Sequence, residues 1–242
     1  MFGIYGKHNL EWIGYADDLV MSFDGTEDLR KGLCIVNSVF KRFGLIINAT
    51  KTKSMIINFE KHNYEYPETL TKLDGINIEN VKVFTYLGCQ IHYKEQNTGT
   101  VEVTARIDMA ETSFYQHSKK LMNKQISLVT RVSILNSLVR SRLTYGCQAW
   151  TLAKVQINQL NATYMTMLRR MVRNGFARRN TENEEWSYIF TNRNLLEMCK
   201  TEKIDSYVTK LKQRYLGHLI QLQDDSLIKR LALNSNKMTR PG

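Results

Sequence analysis

Apolar residues change their spacing partway along the chain, and that change divides it into an early mixed region and a later helical one. The β-prone runs Trp12-Ile13-Gly14-Tyr15-Ala16 and Leu19-Val20-Met21-Ser22-Phe23 flank Asp17-Asp18. This predicts a hairpin with the two acids at or next to its turn, Leu19 to Phe23 returning along Trp12 to Ala16. Asp24, Gly25 and Thr26 are turn or cap formers. Leu29, Leu33, Val36, Phe40 and Phe43 then recur at steps of four and three, so one face of a helix is apolar, and Gly44 stands where a glycine would end it. Strand-like pieces follow at Leu45-Ile46-Ile47, Met55 to Phe59, Gly75 to Ile78 and Val81 to Tyr86, which makes the chain mixed up to about Ile91. The polar stretch Lys94 to Thr100 reads as a linker.

Beyond Thr100 the apolar period is helical. Val103, Ile107, Ala110, Phe114 and Leu121 keep one face; Leu128, Val132, Leu135, Val139 and Leu143 keep a second. Ile157, Leu160, Tyr164, Leu168 and Met171 make a third, and Ile204, Val208, Leu211, Tyr215 and Leu219 a fourth, with a short helix after Asp224. The fold class is therefore α+β: residues 1–93 form a small mixed part, and residues 100–150 and 151–242 are helical.

Composition narrows the partners. The 242 residues include 34 Lys and Arg against 23 Asp and Glu, for a formal charge of +11. Such a balance favours a polyanion, nucleic acid before an anionic membrane. No window is long and apolar enough for a membrane span, and the first residues lack a signal-peptide pattern, so the expected compartment is nucleus or cytoplasm. Cys34, Cys89, Cys147 and Cys199 are too far apart for a zinc module and read as buried free thiols.

Adjacent acids on a rigid turn can hold a divalent cation, since magnesium takes one or two carboxylates together with substrate phosphates. The other reading is a solvated acidic turn. A second acid pair, Asp224-Asp225, lies between polar residues and reads as helix capping. Asp17-Asp18 differs because apolar strands lead in and out, as for a turn held on a buried sheet.

The string Ile13-Gly14-Tyr15-Ala16-Asp17-Asp18-Leu19-Val20 resembles the active-site turn of reverse transcriptases, and the resemblance continues in order. Gly44-Leu45-Ile46-Ile47-Asn48 with Lys51-Thr52-Lys53 is similar to the next palm motif, and Phe84-Thr85-Tyr86-Leu87-Gly88 to the primer-grip turn. Arg106-Ile107 with Ala110 and Phe114, Leu143-Thr144-Tyr145-Gly146 with Trp150, Leu168-Arg169-Arg170, and Gly217-His218 look like landmarks of the thumb and the region beyond it. Together these resemble the enzymes of non-long-terminal-repeat retrotransposons, with residues 1–93 as the C-terminal part of the palm, 100–150 as thumb and 151–242 as connector. The resemblance implies RNA-directed DNA synthesis with magnesium, or manganese in its place. Asp17 would ligate metal, with Asp18 as its acidic neighbour. Tyr15 and Ala16 would line the turn near the primer end. Lys51, or Lys53 in its stead, would protonate pyrophosphate, and Tyr86, Leu87 and Gly88 would hold the primer backbone. The implied partners are an RNA template, a DNA primer and deoxynucleoside triphosphates.

The family pattern also needs an upstream metal-binding aspartate and nucleotide-binding fingers, neither of which appears before Asp17. The expectation is that these residues do not catalyse alone and are completed by an upstream palm and fingers polypeptide. Arg169, Arg170, Arg173, Arg178 and Arg179 form the densest basic cluster, after Lys119, Lys120 and Lys124 and then Arg131, Arg140 and Arg142. These are either phosphate contacts or solvated helix faces. Two other classes stay open: a non-catalytic nucleic-acid-binding protein from a decayed or co-opted element, and a helical module whose basic face meets an acidic protein.

Overall fold

Handed two-residue turns set the layout of the first part. The computed structural model describes residues 12–57, 66–172, 177–179, 186–188, 191–224 and 226–234. Strand β1 (Trp12–Tyr15) pairs antiparallel with β2 (Asp18–Met21), Trp12 opposite Met21 and Tyr15 opposite Asp18. The predicted hairpin is therefore present, with Ala16-Asp17 as its loop. Helix α1 (Thr26–Arg42) follows, and it closes as the pattern requires. Gly44 takes φ +72°, its N–H donates to the Lys41 carbonyl, and the Leu45 N–H donates to the Phe40 carbonyl. These two bonds make a Schellman cap, which uses up carbonyls the helix end would otherwise leave open.

Strands β3 (Lys53–Ser54), β4 (Thr69–Leu73) and β5 (Ile76–Asn80) form a sheet in the order β3-β5-β4, with β3 parallel and β4 antiparallel to β5. Strand β6 (Val83–Tyr86) pairs antiparallel with β7 (Cys89–His92) in a sheet of its own. Leu45 to Ile47 is not a strand: the Schellman turn reverses the chain there, and Leu45 and Ile46 are exposed. Of the run Met55 to Phe59, residues 58 and 59 lie outside the described residues, and pairing is confined to Lys53–Ser54. The core of this part is thin. Leu33, Leu73 and Ile78 are buried, with Ile47 and Ala49 against them. Asp74, in the β4–β5 turn, ties the sheet to α1 by accepting from the Asn37 amide (3.0 Å) and the Lys41 ammonium (2.8 Å).

The chain divides into two compact units, residues 1–98 with 230–242, and residues 99–229. Helix α2 (Glu95–Gln116) begins inside the stretch read as a linker, so that expectation is corrected. Of the residues from Lys94 to Thr100 only Gly99 is a poor helix former, and the others let helix propagate. The second unit continues with α3 (Ser118–Leu121), α4 (Leu128–Leu135), a π-helical turn Asn136–Arg140, α5 (Ser141–Leu143), a 3₁₀ turn Cys147–Ala149 and α6 (Lys154–Val172). After it come a short hairpin of β8 (Ala177–Arg179) and β9 (Trp186–Tyr188), then α7 (Asn192–Met198) and α8 (Ile204–Gln221); α9 (Leu227–Asn234) spans the division at residue 230.

The helical faces read from the sequence are the ones that pack, except that Tyr215 on the fourth is exposed. Val103, Ala110, Phe114, Leu121, Leu135, Val139, Leu143, Leu160, Leu168, Met171 and Ile204 share one core. Tyr164 is buried among them, and its hydroxyl donates to the Asn136 side chain (2.6 Å) and meets the Thr201 hydroxyl (3.0 Å). Arg131 sits across the helix ends, donating to the carbonyls of Leu121, Ile126 and Met171. Cys147 and Cys199 are buried and free, and burial pushes the Cys147 thiol up to about 11. Cys89 is half-buried and Cys34 is exposed, since Cys34 falls one step off the Leu33 face of α1. Asp224 accepts from Lys229 (2.7 Å), an ion pair where a helix cap was expected; Asp225 lies outside the described residues. No described helix is long and apolar enough to cross a membrane.

Two outcomes follow for stability. The Lys41 ammonium beside Asp74, helped by the Asn37 amide, holds that carboxyl below the usual range. A depressed native value means the tie is complete above the ordinary carboxylate range and is lost as pH falls through the native midpoint. A carboxyl titration followed by NMR should place Asp74 below its ordinary midpoint, and Lys41→Met should move it back up.

Inside the second unit Glu102 and Arg106 form a buried ion pair at 2.6 Å, and the guanidinium lies 4.8 Å from the Tyr145 ring centre. Glu102→Leu alone strands a buried charge and should cost about 3–5 kcal/mol in urea unfolding. The double variant Glu102→Leu with Arg106→Leu should recover most of that loss. A double variant no more stable than the single would show that the pair is not the quantity that matters.

Candidate functional site

The active-site-like turn is built from backbone constraint. A two-residue loop joins β1 to β2, and Ala16 takes φ +52° within it. That puts Asp17 at the tip and Asp18 as the first residue of β2, across from Tyr15. Both carboxylates are exposed, and among the described residues neither side chain makes a hydrogen bond or ion pair. The sheet carrying them is not buried: Trp12 and Tyr15 are each 65% exposed. The expectation of a turn held on a buried sheet is therefore corrected. Among the described residues β1 and β2 pair only with each other, and a two-stranded ribbon has no second layer to cover it.

A two-metal centre needs carboxylates that hold both ions about 4 Å apart. Among the described residues no group of three or more His, Cys, Asp or Glu side chains could hold a metal ion. Asp17 and Asp18 alone are an incomplete donor set for the magnesium or manganese the resemblance implies.

Lys51 is presented by an Asx turn. The Asn48 side-chain oxygen accepts from the backbone N–H groups of Thr50 and Lys51 (3.1 Å each) and from the Thr50 hydroxyl (2.8 Å). Asn48 thus explains the Asn-x-x-Lys spacing, a role that its turn-forming side chain advertises in sequence but that was not read there. Lys51 is exposed and makes no side-chain hydrogen bond or ion pair among the described residues. Lys53, its alternative, is committed to Glu79 at 2.5 Å. The Tyr86-Leu87-Gly88 segment is the turn of the β6–β7 hairpin, with Leu87 at φ +47° and Gly88 at φ +80°. Leu87 is exposed, while the Tyr86 hydroxyl is buried without a hydrogen-bond partner among the described residues. The two hairpins belong to separate sheets, and Lys51 sits in the loop before a third.

The basic residues sort into two groups. Arg131 is spent on helix-end carbonyls, and Arg140 lies over the Tyr207 ring at 4.0 Å. Arg142, Lys119, Lys120 and Lys124 are exposed. In the densest cluster, Arg169 donates to the Asn192 side chain (2.6 Å), and Arg170 reaches the Tyr115 hydroxyl and lies 5.6 Å from its ring centre. Arg173 lies outside the described residues, and of Arg178 and Arg179 only the backbone of β8 is described. Tyr115, half-exposed beside Arg170, was missed in the sequence; the two are far apart along the chain, so no local pattern announces the pairing.

Residues 2–91 match the family model of reverse transcriptase (RNA-dependent DNA polymerase). A transposon-derived protein of Caenorhabditis elegans is 26% identical over 219 residues, covering 89% of this chain and 74% of that protein. No solved structure matches.

Proposed function

We propose, for a chain whose residues 2–91 belong to the reverse transcriptase family of retrotransposons, that it is palm and thumb sequence of a non-long-terminal-repeat element. Its partners are an RNA template and a DNA primer. Asp17 supplies a metal-anchoring carboxylate, Asp18 assists, and Tyr15 and Ala16 border the primer end. Lys51 is the proton donor toward pyrophosphate, and Leu87 and Gly88 face the primer backbone with Tyr86 anchoring their turn. The observation that carries this reading is the hairpin itself: it presents two unpaired carboxylates at a two-residue loop, in a segment that matches the family. The availability of Lys51, set against the Lys53–Glu79 pair, supports the choice between the lysines. An ammonium free to approach a leaving phosphate is suited to that transfer.

The donor set argues that these 242 residues do not polymerise alone. A further carboxylate must complete the metal site, and the triphosphate must be positioned by groups outside the hairpin, a dominant requirement in phosphoryl transfer. The chain, mixed with a primed RNA template, nucleotides and magnesium beside an Asp17→Ala control, should give no Asp17-dependent extension. Extension lost in Asp17→Ala would overturn this and require another acid in the site. Restored extension on adding a palm and fingers polypeptide in trans would support it.

A second reading, non-catalytic nucleic-acid binding, draws on the +11 charge and the exposed cations of the second unit, and is compatible with the first. Binding to an RNA–DNA hybrid should be tolerant of sequence and weaken steeply with salt. Arg169→Ala with Arg170→Ala should flatten the slope of log affinity against log salt by up to about two units, about one per lost phosphate contact. An unchanged slope would place those arginines off the interface. A chain that binds an acidic protein and no nucleic acid at low salt would select a protein-interaction module instead.

A further inference from the structure

The second unit carries an open cleft of about 580 Å³ between α7 and the start of α8. Its floor is the side chain of Leu196, and its rim carries Arg193, Lys200 and Lys203. The single acid on the rim, Glu197, is paired with Arg193 at 3.0 Å on an exposed surface, where such pairs contribute little. Lys200 and Lys203 are exposed, and among the described residues their ammonium groups make no ion pair or hydrogen bond.

Both lysines occupy positions that local physics disfavours. Helix α7 ends in a Schellman cap: the Lys200 N–H donates to the Glu197 carbonyl and the Thr201 N–H to the Leu196 carbonyl. The left-handed residue of that cap is ordinarily glycine, yet here it is Lys200 at φ +47°. The L-side chain there costs roughly 1–2 kcal/mol. Lys203 is the N-cap of α8, an 18-residue helix, and provides no side-chain cap. The Asp205 and Ser206 N–H groups of its first turn are met instead by the Asn161 side chain (3.3 Å) and the Asp205 carboxylate (2.7 Å), and a cation at the N-cap faces the positive end of the helix dipole. Two neighbouring lysines thus oppose local preference, and both line one cleft. Departures from local consistency of this kind collect where function requires them.

We infer that this cleft is a phosphate-binding subsite for the nucleic-acid backbone, with Lys200 and Lys203 as its contacts and Arg193 at its edge. An anion between them relieves the repulsion of two unpaired ammonium groups. Among the described residues the lining of the cleft is cationic and polar around Leu196, which suits phosphate rather than a base. Asn192, also on the rim, holds Arg169, which makes the cleft continuous with the basic end of α6. The inference rests on the nucleic-acid reading above and extends it to residues that reading did not include.

The test uses the full chain and a fluorescein-labelled RNA–DNA hybrid across a potassium chloride series. Lys200→Gly restores the residue the cap prefers, so its thermal midpoint should hold or rise. Its salt slope should nevertheless flatten by about one unit, and Lys200→Gly with Lys203→Gln by up to about two. Lys200→Glu should weaken binding further at low salt. Unchanged slopes in these variants, with Arg169→Ala and Arg170→Ala still flattening theirs, would overturn the cleft and leave the nucleic-acid reading standing. Wild-type chain that does not bind the hybrid at low salt, or that binds phosphatidylserine vesicles in preference to it, would overturn both.

Discussion

An L-residue with positive φ brings its Cβ against its own backbone, at a cost of roughly 1–2 kcal/mol. Ala16, Asp74, Leu87 and Lys200 all bear that strain, beside Gly44, Gly75, Gly88 and Gly146, which bear it without penalty. The turns they make decide where each candidate group lies. Ala16 lets the chain reverse in two residues, so Asp17 and Asp18 sit at the end of a ribbon. Asp74-Gly75 folds β5 back along β4 and delivers a carboxylate to α1. Leu87-Gly88 does the same between β6 and β7, leaving Leu87 facing outward with the Tyr86 ring turned in. Reversals this tight leave each flanking side chain little choice of direction, since neighbours on a strand alternate faces.

In the second unit much of the positive charge is consumed by the fold itself. Arg131 satisfies carbonyls at the ends of α3 and α6, and Lys229 satisfies those of Ile220 and Leu222. Lys212 donates to the Trp150 carbonyl, and Arg106 is buried against Glu102. A helix leaves its last four carbonyls open, and a long cationic side chain is an efficient way to close them away from solvent. The formal charge of +11 therefore overstates the surface available to a polyanion. What remains outward, Arg142, Arg170, Lys200 and Lys203 among others, is a smaller set than the formal charge implies.

The helical half was legible because each face repeats over several turns: the periodic positions Val103 to Phe114 and Ile157 to Met171 proved to be core. The hairpin and the end of α1 were legible because turn chemistry is local. Leu45 to Ile47 misled, since an apolar run resembles a strand whether or not a neighbour exists to pair with it. The start of α2 misled because polar residues propagate helix as readily as they form linkers. The lysines at Lys200 and Lys203 were unreadable for a different reason. Their meaning comes from occupying the left-handed cap of one helix and the N-cap of the next, and neither boundary was visible until α7 was.

Two acids in a sequence are not yet a catalytic site. A ribbon of two strands is marginal by itself, and here its aromatic residues Trp12 and Tyr15 lie open. Phosphoryl transfer gains chiefly from charges held in place before the reaction begins, in surroundings that exclude water. Asp17 and Asp18 have neither condition in the described residues: no bond holds either side chain and nothing covers them. Trp12 and Tyr15 lie on opposite faces of the ribbon, so each face carries exposed apolar surface suited to a covering layer. Packing against these faces would fix the carboxylates and desolvate them in one step. The position and solvation of the two acids thus depend on what packs against β1 and β2 as much as on the turn that carries them.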